Sequence, residues 1–231
     1  MNRKYICLCC ILICVAGAVF SLKKVLETSS HLESGLSGYT VVVDGGHGGM
    51  DPGKVGVGQV LEKDVNLAIA NLVKGYLEEN HIHVVMTRTS DTMLGDSSAA
   101  NRKQEDLRAR IQIIEETAPD LVVSIHQNSF EQASSKGAQV FYYDGSQKGK
   151  ELAELLQTQL VSSLDSTNHR KAKANQSYYL LKKSAYTTVI VECGFLSNPH
   201  EAEKLNSAEY QDQVAQAIAV GIIKYLGGGE N

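Results

Sequence analysis

Thr40-Val-Val-Val-Asp-Gly-Gly-His-Gly-Gly-Met-Asp-Pro-Gly53 is the stretch that decides the fold. A threonine and three valines favour a buried strand, because β-branched side chains pack well on a pleated surface. Glycines then end the strand and let the backbone turn sharply. Immediately downstream, Val65, Ala68, Ile69, Leu72, Val73, Tyr76 and Leu77 recur at helical spacing, which predicts a helix over Glu62–Asn80.

The same alternation continues along the chain. Strands are expected at His81–Thr87, Leu121–His126, Gln139–Tyr143 and Thr188–Glu192, with a short one at Tyr178–Leu181. Helices are expected at Leu107–Glu116, stopping before Pro119, at Lys150–Leu164, and at Glu209–Leu226, where Gly227 follows. Strands alternating with amphipathic helices imply one α/β domain with a largely parallel sheet, over residues 39–227. In such sheets the polar site lies beyond the carboxyl ends of the strands. His47, His126 and Glu192 all fall at or just past expected strand ends.

Catalytic zinc sites use three His or carboxylate ligands and leave a fourth position for water. His47, Glu62 and His126 satisfy that count. Glu62 opens a helix, where a carboxylate also faces the positive end of the helix dipole. His126 closes Val122-Val-Ser-Ile-His126, and an imidazole there needs a partner if buried. Glu192 ends the apolar run Val189-Ile-Val and is the expected general base, later returning its proton to a leaving amine. Each residue also has a plainer reading. The glycine loop alone is a turn, Glu62 a helix-start charge, His126 a core histidine and Glu192 half of an ion pair. Their joint placement at one sheet edge favours the site. His31, His81, His83, His169 and His200 lack such placement and read as surface residues.

Residues 1–38 carry Arg3, Lys4, Lys23 and Lys24 against Glu27 and Glu33, whereas the 231-residue chain has a net charge of -4. The body is therefore acidic, which argues against a nucleic-acid partner. Its one basic run, His169-Arg-Lys-Ala-Lys173, reads as a solvated loop.

Tyr5–Leu22 is uncharged and apolar, about 27 Å long as a helix, and lies between Arg3-Lys4 and Lys23-Lys24. Residues 1–24 are thus a membrane anchor or a signal peptide, with Ala16-Gly-Ala18 offering small residues for cleavage. The flanking lysines favour the anchor. Either choice exports the body across the cytoplasmic membrane. Cys7, Cys9, Cys10 and Cys14 lie in this leader and match no zinc spacing, which leaves Cys193 alone in the body. Residues 25–38 read as a polar linker.

Five stretches carry a resemblance: Asp44-Gly-Gly-His-Gly-Gly-Met-Asp-Pro-Gly53, Glu62-Lys-Asp-Val-Asn-Leu67, Thr87-Arg88, Ser124-Ile-His-Gln-Asn-Ser129 and Val191-Glu-Cys-Gly-Phe-Leu-Ser-Asn198. In this order the chain resembles the zinc-dependent N-acetylmuramoyl-L-alanine amidases of bacterial cell walls, from about Val41 to Tyr225. The resemblance implies a mixed sheet of about six strands flanked by helices. It also implies one Zn²⁺ and hydrolysis of the amide joining the lactyl group of N-acetylmuramic acid to L-Ala in peptidoglycan. The family's metal ligands fall on His47, Glu62 and His126, its catalytic glutamate on Glu192, and a substrate-contact position on Asn128. Gly45 stands where the family usually has Pro, Gln127 where it has Ala, and Thr187 where it has Pro; no chemical group is lost. A bare catalytic domain behind a short leader is similar to the amidases that endospore formers use on spore cortex. The alternatives kept open are a zinc peptidase or deacetylase on the same polymer, and a non-catalytic wall-binding protein dependent on a partner. An activating protein is also expected if the domain binds substrate weakly.

Overall fold

The computed structural model describes residues 35–96 and 98–228. The apolar leader and residues 25–34 of the expected linker lie outside them. Leu36 is only 4 % exposed and joins the main core, so packing begins a turn earlier than the sequence pattern implies.

The strands are β1 (Thr40–Gly45), β2 (His83–Met86), β3 (Leu121–Asn128), β4 (Gln139–Tyr143), β5 (Lys173–Asn175) and β6 (Thr187–Phe195). They form one sheet in the order β2-β1-β3-β6-β4-β5. The pairs β1–β2, β1–β3 and β3–β6 are parallel, β4 runs antiparallel to β6, and β5 follows β4. The expected mixed, largely parallel sheet of about six strands is what forms. The helices are α1 (Glu62–Glu79), α2 (Arg102–Thr117), α3 (Gln147–Leu164), α4 (Tyr179–Lys183), α5 (Pro199–Leu205) and α6 (Ala208–Leu226).

Side chains alternate across a strand, so the two faces of the sheet draw on different residues. Val41, Val43, Val123, Ile125, Val189 and Val191 point to one face. There they meet the apolar stripes of α1, α3 and α6, including Ile69, Leu156 and Ile218. Gly221 of α6 permits a close crossing, since a Cβ there would lie 2.6 Å from Leu156 Cδ2. Val42 and Val122 point to the other face, against Ile111 and Ile114 of α2 and Leu180 of α4. Phe141 and Ile190 extend that face to Leu181.

The structure corrects one expected element. Tyr178–Leu181 is not a strand; Tyr179–Lys183 is helical. The edge strand is instead the polar Lys173–Asn175, paired to β4. Asn175 Oδ1 then accepts from the amides of Ser177 and Tyr178, which turns the chain out of the sheet. Leu180 and Leu181 dock into the two small clusters on the face that α2 covers. Helix α5 is an addition with a clear local cause. Asn198 caps it by accepting from His200 N and Glu201 N, and Pro199 occupies the first turn. Helix α2 begins five residues earlier than expected, where the Asn101 side chain accepts from Gln104 N.

Candidate metal and catalytic site

β1 delivers the chain into the glycine loop at the carboxyl edge of the sheet. His47 adopts φ +63°, a left-handed conformation uncommon for a residue with a Cβ. Arg110 Nη2 donates to its carbonyl at 2.7 Å and holds it there. Gly46 is required next to it: a Cβ would lie 2.2 Å from His126 Cε1. Gly53 sits at φ +66°, where a Cβ would meet Glu62 Oε2 at 2.6 Å and His47 Cδ2 at 2.7 Å. The glycines therefore leave room for side chains to converge.

Three side chains do converge. His47 Nε2 lies 3.2 Å from Glu62 Oε1, and His126 Nδ1 lies 2.9 Å from the same oxygen. One ligand atom from each of His47, Glu62 and His126 falls within 4.8 Å of the others. The two imidazoles meet edge to face, with centroids 5.0 Å apart. Glu62 is buried and tethered, accepting from Gln127 N at 3.1 Å and Lys54 N at 2.8 Å. The other nitrogen of His47, Nδ1, contacts Asp51 Oδ2 at 2.8 Å, and Asp51 in turn pairs with Lys103. Such a carboxylate behind a histidine fixes its tautomer and raises its basicity toward a metal.

The electrostatics couple the three groups tightly to one another. Burial would push the Glu62 carboxyl up, but hydrogen bonds from His126 and His47 outweigh it and hold the carboxyl well below its usual range. Burial would push His47 down, but Glu62 and Asp51 outweigh it and raise its pKa. Two imidazole nitrogens and one carboxylate oxygen, with both histidines partly open to solvent, are the donor set and count of a catalytic zinc site.

Glu192 lies directly beside His126 in the β3–β6 register. It is 8 % exposed, its Oε1 is 3.4 Å from the Tyr178 hydroxyl, and its Oε2 has no partner among the described residues. Burial pushes its pKa up to about 7; His126 opposes this and Glu62 adds to it. A cavity of about 170 Å³ opens between His126, Glu192, Tyr178 and Leu107. Asn128 ends β3 two residues past His126, and its Oδ1 is taken by Ser129 N.

The structure thus brings together His47, Glu62 and His126, with Glu192 adjacent and Asn128 farther along the rim. His81, His83, His169 and His200 are on the surface, and His31 lies outside the described residues. Four supporting residues were not read from the sequence. Asp106 and Arg110 form a buried pair one helical turn apart on α2, a spacing visible in the sequence. Arg110 also pairs with Asp44, which accepts from Thr87 and Ser124 hydroxyls. Asp51 sits four residues after His47, within local reach. Tyr178 carries no sequence signal, because its place depends on the turn after β5.

Residues 41–224 match the N-acetylmuramoyl-L-alanine amidase family. The chain belongs to that family. The amidase is 42 % identical to the germination-specific N-acetylmuramoyl-L-alanine amidase of Bacillus subtilis, over 83 % of this chain and 81 % of the relative. It is 33 % identical to the amidase LytC of the same organism, over 86 % of this chain but 38 % of LytC. Among solved structures it is similar to the CwlD amidase from Clostridioides difficile in complex with the GerS lipoprotein. That match has a TM-score of 0.79 and 39 % identity, and covers 81 % of this chain and 98 % of CwlD. The amidase AmiC2 of Nostoc punctiforme matches with a TM-score of 0.72 and 35 % identity, over 81 % of this chain and 97 % of that one.

Proposed function

We propose that this amidase uses Zn²⁺ held by His47, Glu62 and His126 to hydrolyse the lactyl–L-Ala amide of peptidoglycan, with Glu192 as general base and acid. The observation that carries the reading is the His-Glu-His cluster standing one strand from a buried carboxylate with a free oxygen. When bound, zinc lowers the pKa of water and polarises the scissile carbonyl.

The chain's own residues do the rest. Glu192 Oε2, unpartnered, takes a proton from the attacking water. A carboxyl with a pKa near 7 both accepts that proton and releases it at neutral pH. It passes the proton to the departing alanine nitrogen as the amide C–N bond breaks, giving a lactyl carboxylate and a free amine. Asp51 keeps the His47 ring oriented, and Asn128 contacts substrate at the rim.

The germination-specific relative supports spore cortex as the wall acted upon. The CwlD complex with a lipoprotein supports a protein partner. Exposed Met50, Val55 and Val57 on the loop leading to α1, and Phe130 after β3, offer an apolar rim for such a contact. In this reading residues 39–227 are the catalytic domain and residues 1–24 are the anchor or cleaved signal that exports it. Among the described residues no helix is long and apolar enough to cross a membrane.

Product analysis tests the function. Purified protein should release stem peptides that begin with L-Ala and leave a free lactyl carboxyl on muramic acid, and a chelator should stop it. Release of acetate or of a terminal amino acid would replace this reading with a deacetylase or a peptidase.

A further inference from the structure

The basic run His169–Lys173 is solvated at His169, Lys171 and Lys173, as expected, but its Arg170 is anchored. Asn168 Nδ2 donates to the Ala138 carbonyl at 2.9 Å, and a Cβ on Gly137 would lie 2.6 Å from Asn168 Oδ1, so the segment lies tightly on the start of β4. Arg170 is then fixed three ways. Its Nε donates to the Lys136 carbonyl at 2.7 Å, its Nη1 to Gln139 Oε1 at 3.3 Å, and its guanidinium stacks 4.6 Å above the Phe195 ring. A long side chain so held has already lost much of its rotamer freedom and binds an anion at lower entropic cost.

Both side chains that hold it are neighbours of the catalytic glutamate. Gln139 is the cross-strand partner of Glu192, and Glu192 is the partner of His126. His126, Glu192 and Gln139 therefore form one row across three strands. At about 4.8 Å per strand, Gln139 lies roughly 10 Å from His126 along that row. Phe195 follows Glu192 by three residues on the same strand. Neither Arg170 nor Lys171 pairs with a carboxylate among the described residues, although the chain has a net charge of -4. A cavity of about 460 Å³ opens beside Arg170, lined by Lys136, His169 and also Asp165, whose carboxylate faces Lys136.

We propose that Arg170 is an anion subsite for a carboxylate of the stem peptide. An extended peptide advances about 3.3 Å per residue, so the roughly 10 Å from His126 to Gln139, with Arg170 just beyond, places that carboxylate about three residues from the cleaved amide. The guanidinium offers a fork to a carboxylate, while Gln139 and Phe195 set its direction. The subsite selects acidic stem peptides over amidated ones. This inference rests on the amidase reading.

The test uses the full chain with zinc and two soluble muramoyl tripeptides, one with its stem carboxylates free and one with them amidated. Arg170→Gln should raise KM for the free acid about 10- to 100-fold, the range of a charged hydrogen bond. It should leave kcat nearly unchanged and KM for the amide within about twofold, while Arg170→Lys keeps part of the discrimination. An equal loss on both substrates, or no loss on either, overturns the subsite. If wild type cleaves neither substrate, the amidase reading fails separately. Calorimetric titration of the free acidic tripeptide and its amide into wild type and Arg170→Gln then still decides the subsite. Weaker binding of the acid alone supports it, and equal binding overturns it.

Discussion

The two faces of the sheet are built for different tasks. One is covered by α1, α3 and α6 and holds the large apolar core, with neutral Asn66, Gln127 and Gln157 hydrogen-bonded within it. The other is covered by α2 and the short α4, and its two apolar clusters are small. Into the gap they leave come Asp44, Ser124, Arg110 and Asp106, all buried and mutually bonded. His126 and Glu192 continue the same face to the sheet edge. The thick face supplies the hydrophobic stabilisation. The thin face carries charge out of water, which is costly unless every group is paired. Pairing is complete deep inside, at Arg110, and incomplete at the edge, where Glu192 keeps a free oxygen. Where the pairing stops, the proposed chemistry begins.

The sharpest way to break this contrast is Glu192→Gln. The amide keeps the shape but removes the proton acceptor, so kcat should fall about 10²- to 10⁴-fold with zinc content unchanged. Metal analysis beside a kinetic assay checks it. A variant that retains its rate would remove Glu192 as the base.

Next comes a matched pair. Arg110→Met strands Asp44 and Asp106 in the interior without their countercharge and should cost about 3–5 kcal/mol. It also frees the His47 carbonyl, so zinc affinity should drop with stability. Leu156→Ala on the thick face should cost a similar 2–5 kcal/mol by opening a cavity. Its zinc affinity should not change. Denaturant melts paired with zinc titrations separate the two faces, and equal zinc affinities would erase the distinction.

What the sequence made legible follows the same division. The thick face is written in β-branched runs and in the helical spacing of α1, α3 and α6, so its elements could be read directly. His47, Glu62, His126 and Glu192 could be read because strand ends and a helix start lie near one edge in this fold class. Arg110 and Asp106 sit on a helix whose apolar pattern is weak, and their burial depends on a tertiary pairing with Asp44. Tyr178 and β5 were missed for a related reason. Lys173–Asn175 has no strand-like composition and pairs only because β4 presents an open edge. The Asn175 turn then moves Tyr178 and the residues after it out of the sheet.

A smaller effect comes from pH. Burial would raise the Asp44 pKa, but Arg110 and the hydroxyls of Ser124 and Thr87 outweigh it and bring it to about 2, below the ordinary 3.8. A lowered folded-state pKa gives stability that is full above about pH 4 and is lost as the pH falls toward 2. The difference is worth about 2 kcal/mol. Urea melts of zinc-free protein at pH 6 and pH 3 should therefore show a larger loss for wild type than for Asp44→Asn. An equal loss would mean that the network does not hold Asp44 ionised.

Tyr178→Phe probes the boundary itself, with the smallest expected effect. The hydroxyl lies 3.4 Å from Glu192 Oε1, a long contact that favours the ionised carboxylate. Removing it leaves burial less opposed, so the Glu192 pKa should move above its value of about 7. As a base Glu192 must be ionised, and the acidic limb of kcat/KM should therefore shift to higher pH. The plateau at high pH should fall only a few-fold, because Oε2 remains free to accept the proton. A shift toward lower pH would show that the tyrosine instead favours the protonated acid. An unchanged profile would mean that burial, His126 and Glu62 tune Glu192 without the tyrosine, and that the last bonded member of the thin face is Ser124 rather than Tyr178.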